Sequence, residues 1–225
     1  MTRDEIVTEA QNRISDADAV IASAAQVQGW VNQGVRAVAR AWNWPFLRIR
    51  STIALTTGST TFALPADFGK IEKVAYDDGS GNLIPVAPVP DRWMQDNYYS
   101  SSATGAPEMY TPAGLAAGTP PLQSIRVVPK ADQNYTMTVT YQRVPPKITS
   151  GTVYPLLPEE FDEAVILWVM RQYYRQVEDE IMVADKDRAY KEEVQSLVLN
   201  YGNWQYEGFS HLRATNDLTD DYPYL

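Results

Sequence analysis

Proline and glycine are segregated along this chain, and the segregation restricts its fold more than any other feature. Twelve of the fifteen prolines and eight of the twelve glycines lie between Ser51 and Leu157. Residues 1–50 and 158–200 are almost free of both. Proline removes a backbone donor and clashes with the preceding helical turn, while glycine is costly to order. Long helices therefore belong to the flanks, and turns and strands to the middle. Charge is divided too. Residues 1–50 sum to +1, 51–157 to −1, 158–200 to −6 and 201–225 to −3, so the net −9 belongs mostly to the C-terminal third.

The N-terminal flank predicts two helices. Thr2 followed by Glu5 fits a capping box, in which each side chain satisfies the other's free backbone N–H. Ile6, Ala10 and Ile14 then recur on one face. A second start lies at Ser23 with Gln26 three residues on. Val27, Trp30, Val31, Gly34, Val35, Val38, Ala41 and Trp42 follow at the i, i+3, i+4, i+7 spacing of a helix packed on a core. Pro45 is the expected stop.

The middle reads as strands. Leu47, Ile49, Ile53 and Leu55 alternate with polar residues, as do Tyr135, Met137, Val139 and Tyr141, which is the period of a half-buried strand. Shorter strands are expected at 60–64, 71–76, 83–86 and 125–128. Asp77 to Asn82 reads as a hairpin loop. Residues 91–98 read as a short helix, and 99–121 as a long surface loop.

The C-terminal flank opens at Pro158, which suits a first helical turn. Glu159, Glu160, Asp162 and Glu163 put negative charge at the positive end of the helix dipole. Phe161, Ala164, Val165, Trp168 and Gln172 trace one face. Unbroken to residue 200, this helix would be about 64 Å long, against a radius of gyration of ~17 Å for a chain this size. Two helices, 158–177 and 179–200, with a bend between them, are expected. From Trp204 onward five aromatics occur in 22 residues without a period. Such a segment is too aromatic for a free disordered tail and reads as an extended stretch lying against something.

The composition excludes several chemistries. There is no cysteine, so there is no disulfide, thiolate metal site or cysteine nucleophile. His211 is the only histidine, so histidine metal clusters and Ser-His-Asp triads centred elsewhere are ruled out. No phosphate-binding glycine motif occurs. Gly79-Ser80-Gly81 is read as a turn, and Asp77–Asn82 lacks the alternating acids of a calcium loop. The acids of 159–163 crowd one helical turn, where they cap and solubilise it, instead of facing each other across a cleft as a hydrolase requires. Glu178-Asp179-Glu180 reads as a solvated junction. Asn134-Tyr135-Thr136 is a glycosylation sequon without a leader, since the opening MTRDEIVTEA has no apolar core. No catalytic, metal or cofactor residues are therefore assigned. Trp30, Trp42, Trp44 and Trp168 are expected in the core. Trp93, Tyr98, Tyr99 and Tyr110 are expected to pack in the β region or contact a partner, with stacking on sugars or bases as the rival use. Arg36, Arg40, Arg48 and Arg50 are candidates for facing DNA phosphates or for pairing within or between subunits, and the negative net charge favours pairing.

Five short motifs follow one another along the chain: Ala41-Trp42-Asn43-Trp44-Pro45-Phe46, Thr61-Phe62-Ala63-Leu64-Pro65-Ala66-Asp67-Phe68, Gly105-Ala106-Pro107-Glu108-Met109-Tyr110, Val127-Val128-Pro129-Lys130 and Leu157-Pro158-Glu159-Glu160-Phe161-Asp162. In this order and spacing the chain, over about residues 1–200, resembles the head-to-tail adaptor (connector) proteins of tailed bacteriophages and gene-transfer particles. Physically, Leu64 to Phe68 is a rigid corner, with Asp67 expected to bond nearby backbone N–H groups. The resemblance implies an α+β fold. A helical bundle from both termini (1–46 and 158–200) would carry an inserted antiparallel β domain (47–157), followed by an extended tail (201–225). It also implies a virion protein and not an enzyme. The protein would form a twelve-fold ring of itself below the portal, extend the DNA channel and offer a docking face to the tail hub or tail-completion protein, with transient contact to packaged DNA and none to membrane. Assembly would take place in the host cytoplasm and the product would reside in the virion neck. Beyond residue 201 no family motif carries over. There Trp204, Tyr206, Phe209, Leu212, Tyr222, Tyr224 and Leu225 are expected, from their aromatic density, to meet the portal or a neighbouring subunit. A carbohydrate-binding or tail-spike accessory module is the alternative reading.

Overall fold

The two halves of the capping logic are met at both N-terminal helices. The computed structural model describes residues 1–14, 22–98, 103–116 and 121–207, with side chains as far as Tyr201. Helix α1 is Arg3–Arg13 and α2 is Ala24–Ala41. Thr2 and Glu5 close one capping box, Ser23 and Gln26 the other. The strands follow: β1 Arg48–Leu55, β2 Thr61–Ala63, β3 Phe68–Asp77 and β4 Leu83–Pro88. Helix α3, Asp91–Tyr98, precedes β5 Thr104–Gly105, β6 Met109–Ala116, β7 Leu122–Val128, β8 Lys130–Ala131 and β9 Tyr135–Arg143. Helices α4, Asp162–Gln176, and α5, Glu180–Glu207, complete the chain. The protein is thus a mixed α+β molecule with five helices among the described residues. It divides into two compact units, one of residues 1–42 and 147–225, the other of Asn43–Pro146.

In the first unit α4 packs against α1, α2 and α5. Ile6, Ala10, Val27, Val31, Val35, Val38, Ala164, Val165 and Val169 are all buried. Gly34 is the point of closest approach. A Cβ there would lie 3.1 Å from Trp168 Cδ1 and 3.2 Å from Val165 Cγ1. Asn32, one of the few buried polar residues, sits in this apolar face. Its Oδ1 accepts from Ile148 N (2.7 Å) and its Nδ2 donates to Ile148 O (3.1 Å), so one side chain satisfies both backbone groups of a returning segment. Arg3, also buried, donates to the same carbonyl. An orphaned buried polar group costs about 1–3 kcal/mol, which is why this amide is tolerated inside an apolar face.

In the second unit a seven-stranded sheet runs β1-β9-β3-β4-β6-β7-β2, and its two edge strands approach each other, so it curls nearly to closure. Its core holds Leu55, Phe62, Leu64, Val74, Val86, Ile125, Val127, Met137 and Val139. Tyr141 is buried there, and its hydroxyl donates to Asp67 Oδ1 at 2.8 Å. Burial, helped by that carboxylate, pushes the Tyr141 hydroxyl up to about 12. Asp67 therefore braces its corner through a tyrosine, where backbone N–H groups were expected. Phe68 packs on the same ring, with centroids 5.6 Å apart.

Several expectations need correction. The seven-stranded sheet is mixed, because β4 pairs with β6 in parallel, and β5 and β8 form a separate two-stranded parallel sheet. The expected loop 99–121 contains β5 and β6. Pro112 and Gly114 hide β6 from the period-two pattern. They flank a register shift against β7, and Gly114 takes the positive φ (84°) that glycine allows. Helix α2 stops at Ala41, where Trp42 is extended, and Pro45 begins a 3₁₀ turn. Trp42 is 44% exposed and Trp30 and Trp168 are half-buried, so of the four tryptophans expected in the core only Trp44 is fully buried, and it lies beyond the helix. The expected bend falls at Glu178, whose φ of 58° ends α4. α5 continues to Glu207, so residues 201–207 of the expected extended tail are helical. Gly202 alone costs about 1 kcal/mol in a helix, too little to stop one.

Gly29 and Gly34 lie on the same helix, but a Cβ at Gly29 meets nothing within 4 Å. Gly29→Ala should raise stability by about 0.5–1 kcal/mol, whereas Gly34→Val should lower it by about 1–3 kcal/mol through overpacking. Urea titration followed by far-UV circular dichroism reads both.

Removing Asp67 should cost more than removing its partner's hydroxyl. Asp67→Ala leaves a buried phenol unsatisfied and should cost about 1–3 kcal/mol, while Tyr141→Phe should cost about 1 kcal/mol. Paired denaturant midpoints check the order.

Candidate assembly surfaces

The acidic turn that opens the C-terminal flank is occupied by structure. Asp162 is buried, and the Met1 amino group donates to its Oδ2 at 2.5 Å. Burial pushes the Asp162 carboxyl up, and the amine partly opposes that rise. Glu163 accepts from Arg13 Nη1 at 2.6 Å, and Arg13 also donates from Nε to Glu9 at 2.8 Å. These contacts tie α1 to the start of α4, which is a structural use of the carboxylates. In the hairpin, Asp77 and Asp78 accept from the backbone N–H groups of Gly79 and Ser80, both at 2.8 Å. Asn134 Oδ1 accepts from Thr57 N at 2.9 Å, so the sequon asparagine holds a turn. Among the described residues no group of three His, Asp or Glu is poised for a metal ion, and none of the helices is long and apolar enough to cross a membrane. His211 lies outside the described residues.

The α4–α5 hairpin is held by charge and rings together. Arg171 lies over Trp168, 5.1 Å from its centroid, and Trp168 meets Tyr190 edge-on at 5.3 Å. Asp187 sits between Lys191 Nζ (2.6 Å) and Arg171 Nε (3.0 Å). The Arg171 contact is electrostatic, since its Nε–H makes no aligned hydrogen bond. Lys191 and then Arg171 hold the Asp187 carboxyl below its ordinary value.

The four arginines fall in different places. Arg36 and Arg40 are exposed on α2, one turn apart, and make no ion pair among the described residues. Arg48 and Arg50 are exposed on one face of β1, and Arg48 Nε pairs with Glu72 at 2.5 Å. Among the described residues, the loop aromatics do not form a stacking platform. Tyr110 is buried, while Trp93 (40% exposed) leans on Tyr98 with centroids 5.7 Å apart. Tyr99 lies outside the described residues. Nearby is a cleft of about 390 Å³, bordered by Thr60, Met94, Tyr98, Arg126 and Lys130 and, among the described residues, by no carboxylate. Trp204 and Tyr206 lie within α5, and Phe209, Leu212, Tyr222, Tyr224 and Leu225 lie outside the described residues.

Sequence reasoning missed Asn32 and Asp187, and it missed two lysines, Lys70 and Lys73. Asn32 gave no signal in the sequence, since at helical spacing it falls off the Val27–Val38 apolar stripe. The lysines had none, because two register irregularities in β3 decide their alignment with β1 and β9.

What the molecule presents is a set of surfaces supported by structural ion pairs. The family model for the SU10 adaptor protein matches residues 1–208. The chain belongs to the SU10 adaptor protein family. That family is one of structural phage adaptors and not of enzymes, which makes the chain a structural virion component expected to oligomerise and to contact other neck proteins. No curated protein matches it. The family match spans α5 and leaves 209–225 outside.

Asp187→Asn should destabilise the protein by about 1 kcal/mol at pH 7. A carboxyl held low in the folded state stabilises above its unfolded value of ~3.9 and loses that contribution as pH falls. The difference between variant and parent should therefore be constant from pH 5 to 8 and shrink as pH falls below about 4. Thermal melts across that range check it.

Proposed function

We propose that the chain is a head-to-tail adaptor that assembles with itself into a ring, twelve-fold by family resemblance, beneath the portal of a tailed phage. There it extends the DNA channel and offers a docking face to the tail hub or tail-completion protein. It resides in the virion neck and assembles in the host cytoplasm. The observation that carries this reading is the SU10 adaptor match over residues 1–208. The helices of the two chain ends serve as the bundle that forms the ring body, with the strand-rich unit inserted between them. Support comes from α4, which buries its apolar face against both N-terminal helices. Arg48 and Arg50, or Arg36 and Arg40, supply charge toward DNA or toward a neighbouring subunit.

The segment beyond α5 is the portal- or subunit-binding element in this reading. Its aromatic residues, Phe209, Tyr222 and Tyr224 with Leu212 and Leu225, lie past the family match, where a lineage-specific contact would sit. Aromatics are enriched at interfaces because they bury large area at low entropic cost. Deleting 208–225 leaves α5 whole and should abolish co-sedimentation with purified portal rings. Unchanged co-sedimentation contradicts the assignment.

A further inference from the structure

The outer face of the β1–β9–β3 sheet gathers cations that sequence order keeps apart. The register sets Arg48 beside Gln142, Arg50 beside Thr140 and Thr52 beside Thr138. On the other side of β9, Lys70 stands beside Gln142 and Lys73 beside Thr140. Four cations thus share a face whose floor is threonine and glutamine. The single acid among them, Glu72, pairs with Arg48 and accepts from Gln142 Nε2 at 2.6 Å. Arg50, Lys70 and Lys73 are exposed and have no ion pair among the described residues.

This concentration is not a reflection of composition. Residues 43–146 hold acids and bases in equal number, so the whole net charge of −9 falls on the other unit. There, the α4–α5 corner presents Glu178 and Glu180 without ion pairs among the described residues. Ile181 beside them is 83% exposed, the most exposed large apolar side chain described. One molecule therefore carries a basic sheet face with three unpaired cations and an acidic corner with an apolar residue in need of cover. Different surfaces that complement each other on identical chains make head-to-tail contacts, and these close into rings when the rotation permits. A polyanion such as duplex DNA is the weaker occupant, because a chain of net −9 repels it at long range.

We propose that in the ring the α4–α5 corner of one copy, Glu178 to Ile181, docks on the Arg50/Lys70/Lys73 face of the next copy. This rests on the ring reading above and gives it an interface. The contact is electrostatic at its rim, so salt weakens it, and opposed charges set its register.

The test uses the full chain, with native mass and sedimentation measured alone and on portal rings. Parent protein should assemble, and the triple variant Arg50→Glu/Lys70→Glu/Lys73→Glu should remain monomeric with an unchanged circular dichroism spectrum. Adding Glu178→Lys/Glu180→Lys to that variant should restore assembly at least tenfold toward the parent. Rings that form equally well in the triple variant overturn this interface and leave the ring reading intact. Parent protein that is monomeric both alone and on portal overturns the ring reading itself. Duplex DNA retained by the parent and lost in the triple variant, with assembly unchanged, overturns the proposal in favour of a nucleic-acid face.

Discussion

Everything in the helical unit depends on two helices from opposite ends of the chain coming close enough to share a core. That approach is possible because position 34 has no side chain. With Val165 and Trp168 already at 3.1–3.3 Å from where a Cβ would stand, α2 and α4 could not close further. Close-packed interiors transmit such a constraint, since side chains interdigitate without slack. The contacts around it follow. Trp168, seated against Gly34, also receives Arg171 and Tyr190, which fasten α5. Asn32, two residues before Gly34, holds Ile148 and with it the segment returning from the strand-rich unit.

What was legible in the sequence was what depends on local chemistry. Two capping boxes, the 3.6-residue stripes of α1, α2 and α4, the alternation of β1 and β9 and the Asp-rich hairpin all occur where their residues place them. What was illegible depends on register and long-range pairing. β6 was hidden because Pro112 and Gly114 interrupt its alternation, and only pairing with β7 reveals it. The parallel pair β4–β6 joins strands by a crossover through α3, for which no local signal exists. Trp42 completes an apolar stripe in sequence but follows the last helical residue, so the period no longer governs where it points.

Single residues of the charged surfaces were legible, and their grouping was not. The acids at the head of α4 were expected to cap their own helix; no side-chain cap forms there, and Asp162 and Glu163 instead hold Met1 and Arg13. Arg48 and Arg50 could be flagged from alternation alone. Their joining with Lys70 and Lys73 could not, because β3 slips register twice before Lys73. For a structural adaptor this is the expected division, since assembly surfaces are built from tertiary neighbours and carry no compact motif.

The claim most exposed to test is that Gly34 and Trp168 are energetically one site. A double-mutant cycle with Gly34→Val and Trp168→Ala, read by urea unfolding, measures it directly. Neighbours in contact couple by about 0.5–3 kcal/mol. Truncating Trp168 should relieve the Gly34→Val penalty by at least about 1 kcal/mol. Strict additivity of the two substitutions would mean that the helices from the two ends of the chain do not meet there.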